Sequence, residues 1–187
     1  MKNIPREIIR REAFRFYLKP CSEFDGEVIY EAAIESYARV SKWMDWLTKE
    51  YTVKESISFA TRSAVNWLEG SAYEFAIIDS EDGQISGCCG LNRINDKDLI
   101  CNLGYWVREG KCRLGAASQA TILLAEFGLK ELGLRRIEVV AAKENSSSQG
   151  VAKKAGAKFE GIQELRLKVG NTSYDSCVFT FLKNGSD

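Results

Sequence analysis

The stretch from residue 100 to residue 157 constrains this chain more than any other. Residues 100–107 read as a strand, 108–114 as a polar loop, 115–132 as a helix and 136–142 as a strand again. A strand–helix–strand crossover of that length joins parallel strands. The other strand-like runs, 73–79, 84–94, 158–168 and 173–182, are joined to a neighbour by short turns such as Ser80-Glu81-Asp82-Gly83, Asn95-Asp96-Lys97-Asp98 and Gly170-Asn171. Short turns dictate antiparallel pairing. The prediction is a mixed α+β fold whose sheet is mostly antiparallel and holds one parallel pair. Inside the crossover, the loop ends in Gly115-Ala116-Ala117 and opens directly into the helix. Free N–H groups at a helix start, with the positive end of the dipole, make a candidate anion cradle.

The remaining elements follow from local chemistry. Residues 1–12 are charged and read as an N-terminal arm, and 14–18 alternate as a first strand stopped by Lys19-Pro20. Apolar residues recur at helical spacing over 27–40. Trp43 and Trp46 follow, either as helix-packing aromatics or as the wall of an acceptor cleft. Thr52-Val53-Lys54-Glu55 has the form of a capping box, so a helix is expected over 53–68, ended by Gly70. After the crossover, a polar turn over 144–148 leads to a helix over 149–155, and Asn145 and Ser148 can cap it. Without repeats or linkers, residues 13–183 are expected to form a single domain.

Composition removes several function classes. Lys plus Arg and Asp plus Glu number 26 each, so no global field favours nucleic acid or an anionic membrane. No run approaches a membrane span, and the first residues lack the apolar core of a signal peptide. The six cysteines contain no Cys-x-x-Cys pair and are expected to be buried free thiols in a reducing cytoplasm. Histidine is absent, which excludes Ser-His-Asp and Cys-His catalysis and the His-Glu-x-x-His zinc site, and no metal is expected.

Leu103-Gly104-Tyr105-Trp106-Val107, Arg113-Leu114-Gly115-Ala116-Ala117, Glu144-Asn145-Ser146-Ser147-Ser148, Lys154-Ala155-Gly156-Ala157 and Glu160-Gly161 occur in that order. The ordered set resembles the GCN5-related N-acetyltransferase (GNAT) superfamily, in particular its RimJ/RimL-type branch, over roughly residues 13–183. The resemblance implies the GNAT acyl-CoA N-acyltransferase fold: a sheet flanked by helices, in which the parallel strands splay and acetyl-coenzyme A sits in the gap. It implies backbone contacts to the cofactor at Tyr105, Trp106 and Val107. It also implies a pyrophosphate loop at Cys112, Arg113, Leu114, Gly115, Ala116, Ala117 and Ser118. Gly115 and Ala117 match the family's small positions; Cys112 stands where Gln or Arg is usual, and Arg113 is either a cationic contact or a solvated loop charge. Asn145 would lie along the pantetheine arm, and Ser148 would donate to the departing thiolate as the catalytic acid. Trp43 and Trp46 are the candidate acceptor contacts.

The proton acceptor does not carry over. The family's Glu two residues before Gly-Tyr is Asn102 here, and the site where some RimL-like enzymes carry a Glu is Leu167. Glu74 and Glu164 are the remaining candidates, read in the first instance as solvated strand charges. An α-amine of pKa about 8 costs about 1.4 kcal/mol to deprotonate at pH 7, against about 4.6 for a lysine of pKa about 10.4. A site with no obvious strong base therefore favours a protein N-terminus as acceptor, for example that of a ribosomal protein. A small-molecule amine such as an antibiotic or amino-sugar, and a non-catalytic acyl-CoA-binding module, are the alternatives. The protein is expected to act as a monomer or homodimer.

Overall fold

The computed structural model describes residues 5–183; the first four residues of the expected arm lie outside them. Seven strands form one sheet: β1 (Phe16–Pro20), β2 (Tyr73–Asp79), β3 (Ile85–Asn95), β4 (Ile100–Val107), β5 (Arg136–Ala142), β6 (Lys158–Val169) and β7 (Thr172–Leu182). Their order is β1-β2-β3-β4-β5-β7-β6. The β4–β5 pair is parallel, and every other neighbouring pair is antiparallel. The expected mixed sheet with one parallel pair is therefore present.

That parallel pair is short. Only Ile100–Arg136, Cys101–Ile137 and Asn102–Glu138 are in register. Beyond Asn102, β4 continues along β3 as far as the Gly87–Val107 pair, and β5 continues along β7 as far as Ala142–Ser176. The two strands part while each keeps its outer neighbour, which opens a gap in the middle of the sheet.

Helices cover both faces. On one side, α4 (Ala116–Lys130) and α5 (Ser146–Lys154) pack over a core that includes Phe75, Cys89, Leu91, Leu103, Leu124 and Val139. On the other lie α1 (Gly26–Glu35), α2 (Tyr37–Val40) and α3 (Val53–Glu69), over Ala76, Ile78 and Cys88. The approach of α1 to α3 is close: a Cβ on Gly26 would fall 2.7 Å from the Ile57 Cα, and the Ser56 hydroxyl donates to the Gly26 carbonyl at 2.7 Å.

Two expected boundaries shift for local reasons. The helix expected over 27–40 breaks at Ser36, whose hydroxyl donates back to the Ala32 carbonyl (2.7 Å) and accepts the Glu109 N–H (2.9 Å). The helix expected over 149–155 starts earlier, at Ser146, because the Asn145 side chain caps it by accepting the Ser148 N–H at 3.1 Å. The six cysteines are free and all but Cys112 are buried. Among the described residues no helix is long and apolar enough to cross a membrane.

The capping box forms as the sequence indicates. The Glu55 carboxylate accepts the Thr52 N–H at 2.7 Å, the Glu55 N–H reaches the Thr52 hydroxyl at 3.3 Å, and Gly70 closes α3 at φ 71°. Thr52→Ala is expected to lower stability by about 1 kcal/mol in urea unfolding at an unchanged m-value.

Candidate active site

The parting of β4 and β5 opens a cavity of about 990 Å³ that reaches both faces of the sheet. On the α4/α5 side its lining includes Tyr105, Ala117, Asn145, Ser148 and Val151, and on the α1–α3 side Trp43, Trp46, Phe59, Glu74 and Trp106. Among the described residues no group of His, Cys, Asp or Glu could hold a metal ion.

At the α4 end, Arg113 (φ 64°) and Gly115 (φ 94°) both take left-handed backbone conformations. The loop therefore curls before the helix begins, and no side chain caps its first turn. Orphan N–H groups followed by Ala116, Ala117 and Ser118 form a concave, electropositive start suited to an anion. Ser118 donates to the Gly115 carbonyl at 3.0 Å, and the Gln119 carboxamide accepts the Phe16 N–H at 3.0 Å, tying this end of α4 to β1. Cys112 is partly buried, its thiol on the Arg108 carbonyl (3.2 Å), whereas Arg113 is exposed.

A clasp absent from the sequence reading holds that loop. Asp79, fully buried at the end of β2, takes a bidentate contact from Arg15 (2.8 and 2.6 Å) and one from Lys111 at 2.8 Å. Lys111 directly precedes Cys112 and also reaches Asp82. The Arg15 guanidinium and the Lys111 ammonium hold the Asp79 carboxyl well below the usual carboxylate range. From the other side, Glu35 accepts from Arg108 and from the Gly110 N–H (3.0 Å), and Arg39 pairs with Glu109 at 2.9 Å and donates to the Val107 carbonyl at 2.8 Å. The signal for Asp79 is an acid closing the apolar run 75–78.

In the gap, the Tyr105 phenol lies 3.0 Å from the Ser148 hydroxyl and 3.0 Å from the Ser148 carbonyl. Burial pushes Tyr105 up to about 12, so it stays a protonated donor. When it donates to the Ser148 Oγ, the serine proton is free to point into the cavity. Asn145 uses its carboxamide oxygen as the cap and has only its N–H₂ end for anything else.

Trp43 and Trp46 pack against other aromatic rings and also border the cavity. Trp43 meets Tyr174 edge-on at 5.8 Å, and Trp46 meets Tyr51 at 5.3 Å and Trp106 at 5.8 Å. The two carboxylates left as base candidates separate. Glu164 is exposed, as read from the sequence. Glu74 is not a solvated strand charge: it is partly buried, lines the cavity, and desolvation pushes its carboxyl up to about 7. The missed signal is that both faces of β2 are apolar around it, with Ala76 and Ile78 on its own side, so helices cover both.

The splayed pair, the loop at the start of α4 and the cavity between them are the layout implied by the sequence resemblance, and direct comparison agrees. The acetyltransferase (GNAT) domain model matches residues 15–158. The chain belongs to the GNAT family. It is an N-acetyltransferase by that membership, and its relatives carry the same description. An uncharacterized N-acetyltransferase, p20, of Bacillus licheniformis is 31% identical over 116 residues, which are 62% of this chain and 65% of that protein. Another, YoaA of Bacillus subtilis (strain 168), is 24% identical over 172 residues, 92% of this chain and 96% of the relative. Among solved structures, RimL, a ribosomal L7/L12 alpha-N-protein acetyltransferase in complex with coenzyme A, superposes with a TM-score of 0.85 at 18% identity, covering 94% of this chain and 98% of that one.

Asp79 links acid stability to the loop. Its folded pKa lies below the unfolded value of about 3.9, so its stabilisation is present above that pH and is lost as pH falls. Asp79→Asn is expected to cost roughly 2 kcal/mol at pH 7, less than a fully buried pair because Arg15 is partly solvated. The difference from the unsubstituted protein should be constant above about pH 4 and shrink as pH falls below it, read from urea midpoints.

Proposed function

We propose that this protein transfers acetyl from acetyl-CoA to the α-amine of a protein N-terminus, of the kind presented by ribosomal proteins. The observation that carries the reading is the cavity's passage through the sheet: an anion-binding helix start and Ser148 on one face, an aromatic wall on the other. Two substrates can enter from opposite faces and meet where β4 and β5 part. The RimL structure, with coenzyme A and an α-amine acetylation described for it, supports the same assignment.

In this reading the N–H groups of residues 113–118 receive the pyrophosphate, with Gly115 free of a side chain at φ 94°. The unpaired edges of residues 103–107 and 139–142 offer N–H and C=O groups to the amides of the pantetheine arm, and the Asn145 N–H₂ adds a donor. Acetyl-CoA supplies an activated acetyl thioester. Ser148, with Tyr105 behind it, stands as proton donor to the leaving sulfur. The acceptor's chain lies along Trp43, Trp46 and Trp106.

Thiol release from acetyl-CoA, measured on a panel of N-terminal peptides, lysine side-chain peptides and small amines, tests the assignment. Turnover is expected on free N-terminal peptides and to vanish when they are N-blocked; turnover on small amines alone would overturn it. Gly115→Val should weaken coenzyme A binding at least tenfold by calorimetry, because a β-branched residue resists a positive φ. Ser148→Ala leaves the cap in place, since Asn145 holds the backbone N–H, and should lower kcat about 10- to 100-fold with coenzyme A affinity within twofold. Equal loss of both would make Ser148 structural.

A further inference from the structure

Among the described residues, the cavity leaves one acid without an assigned task. Glu74 projects from β2 in register with Gly90 of β3, and Gly90 is in register with Gly104 of β4. Residues paired this way share a face, so the row across the sheet reads acid, glycine, glycine. A left-handed backbone accounts for neither glycine, since neither has a positive φ. What they provide is space. A Cβ on Gly90 would stand 1.9 Å from a Glu74 carboxylate oxygen, so the carboxylate lies across Gly90. A Cβ at Gly104 would meet nothing closer than the Asn102 and Asn92 amides at 3.9 and 4.0 Å. The two glycines thus form a trough with Glu74 at one end and the parted edge of β4 at the other.

The surroundings of the trough narrow the roles open to each group. Asn92 and Asn102, the next row on the same face, hydrogen-bond to each other at 3.0 Å and carry no charge. The Glu55 carboxylate, also in the cavity lining, is committed to the Thr52 N–H (2.7 Å) and hydroxyl (2.8 Å). Burial holds the Tyr51 phenol and the Cys89 thiol up, and Tyr105 is up at about 12, so all three stay protonated near neutrality. The Cys21 thiol, which also feels Glu74, is likewise pushed well up. Arg39, Arg93 and Arg166 line the same cavity as permanent cations. Glu74 is the group in this set free to accept a proton.

We propose that Glu74 is the catalytic base, taking a proton from the acceptor's ammonium, directly or through one water held over Gly104. The inference rests on the N-acetyltransfer reading and adds to it the proton's route. The ammonium gives one proton to the Glu74 carboxylate, which passes it to bulk water. The neutral nitrogen then forms a C–N bond to the acetyl carbonyl carbon as the C–S bond breaks. The leaving sulfur takes the second nitrogen proton through the Ser148 hydroxyl, so amide and thiol emerge with one proton released. Burial with no cation to answer it raises Glu74 to about 7, which suits a base working near neutral pH.

The test uses the full chain and whichever acceptor the panel identifies. Glu74→Gln should reduce kcat/KM at pH 7 about 100-fold or more and leave coenzyme A affinity within twofold. The acid limb of the pH profile, near 7 in the unsubstituted enzyme, should disappear. Glu74→Asp, one methylene short across Gly90, should retain the limb at an intermediate rate. Glu164→Gln, exposed on β6, should match the unsubstituted enzyme. A Glu74→Gln enzyme keeping more than a third of the rate, or keeping the limb, overturns the proposal. A second measurement stands apart from turnover. The ¹³C carboxyl resonance that Glu74→Gln removes should titrate near pH 7, and a midpoint near 4.5 overturns the assignment even if the variant folds poorly. Were small amines to turn over and peptides not, the N-terminal reading would fail while Glu74 was still judged on the small amine.

Discussion

The three-residue length of the β4–β5 pairing is the constraint on which the rest of the structure depends. A sheet that continued past Asn102 and Glu138 would satisfy its own backbone and leave no passage. Instead, each strand keeps its outer neighbour and turns one edge of N–H and C=O groups towards the gap. Such groups cannot be left dry without cost, and water or an amide-bearing ligand must meet them. An extended ligand that lies between two strand edges is the natural partner of that arrangement. The gap also explains how one cavity can touch α4 and α5 on one face and α1–α3 on the other.

A parted sheet is useful only if the loop at its end is fixed, and charge does that here. Asp79, Arg15 and Lys111 tie the start of the loop to β1 and β2, while Glu35, Ser36 and Arg39 hold residues 107–110 from α1 and α2. Ser36, at the break between α1 and α2, contributes its hydroxyl to this device by accepting the Glu109 N–H. The loop before α4 is thus held from both faces of the sheet.

The strand–loop–helix run and the capping box were legible in the sequence because they rest on local chemistry: turn residues, periodicity and a Thr-x-x-Glu spacing. The GNAT layout was legible from the order of its short motifs. What the sequence concealed depends on packing between distant segments. Asp79 and Lys111 are 32 residues apart and meet only once β2 and the loop are in place. The Ser36 hydroxyl meets a backbone N–H 73 residues away. Asn145 offers a cap in the sequence, yet Ser146-Ser147-Ser148 looks like a turn until that cap forms, so the expected helix start falls three residues late.

Glu74 was misread because strand alternation predicts which face a side chain takes, and not whether that face is covered. Its covered position has a definite energetic consequence. Between pH about 4.5 and about 7 the unfolded chain ionises this carboxyl while the folded chain keeps it protonated, so folding loses stability as pH rises through that window. The cause is burial of the carboxyl away from water. The same shift acts in the opposite direction on chemistry. A base near 7 faces an α-amine near 8 with about 1.4 kcal/mol of uphill proton transfer, where a solvated carboxylate near 4.3 would face about 5. Against a lysine near 10.4 the mismatch is still about 4.6 kcal/mol. As the proposed base, a carboxylate raised this far by burial would bring proton transfer from an α-amine close to balance, while the gap of about 3 kcal/mol between that amine and a lysine side chain is the same for any base.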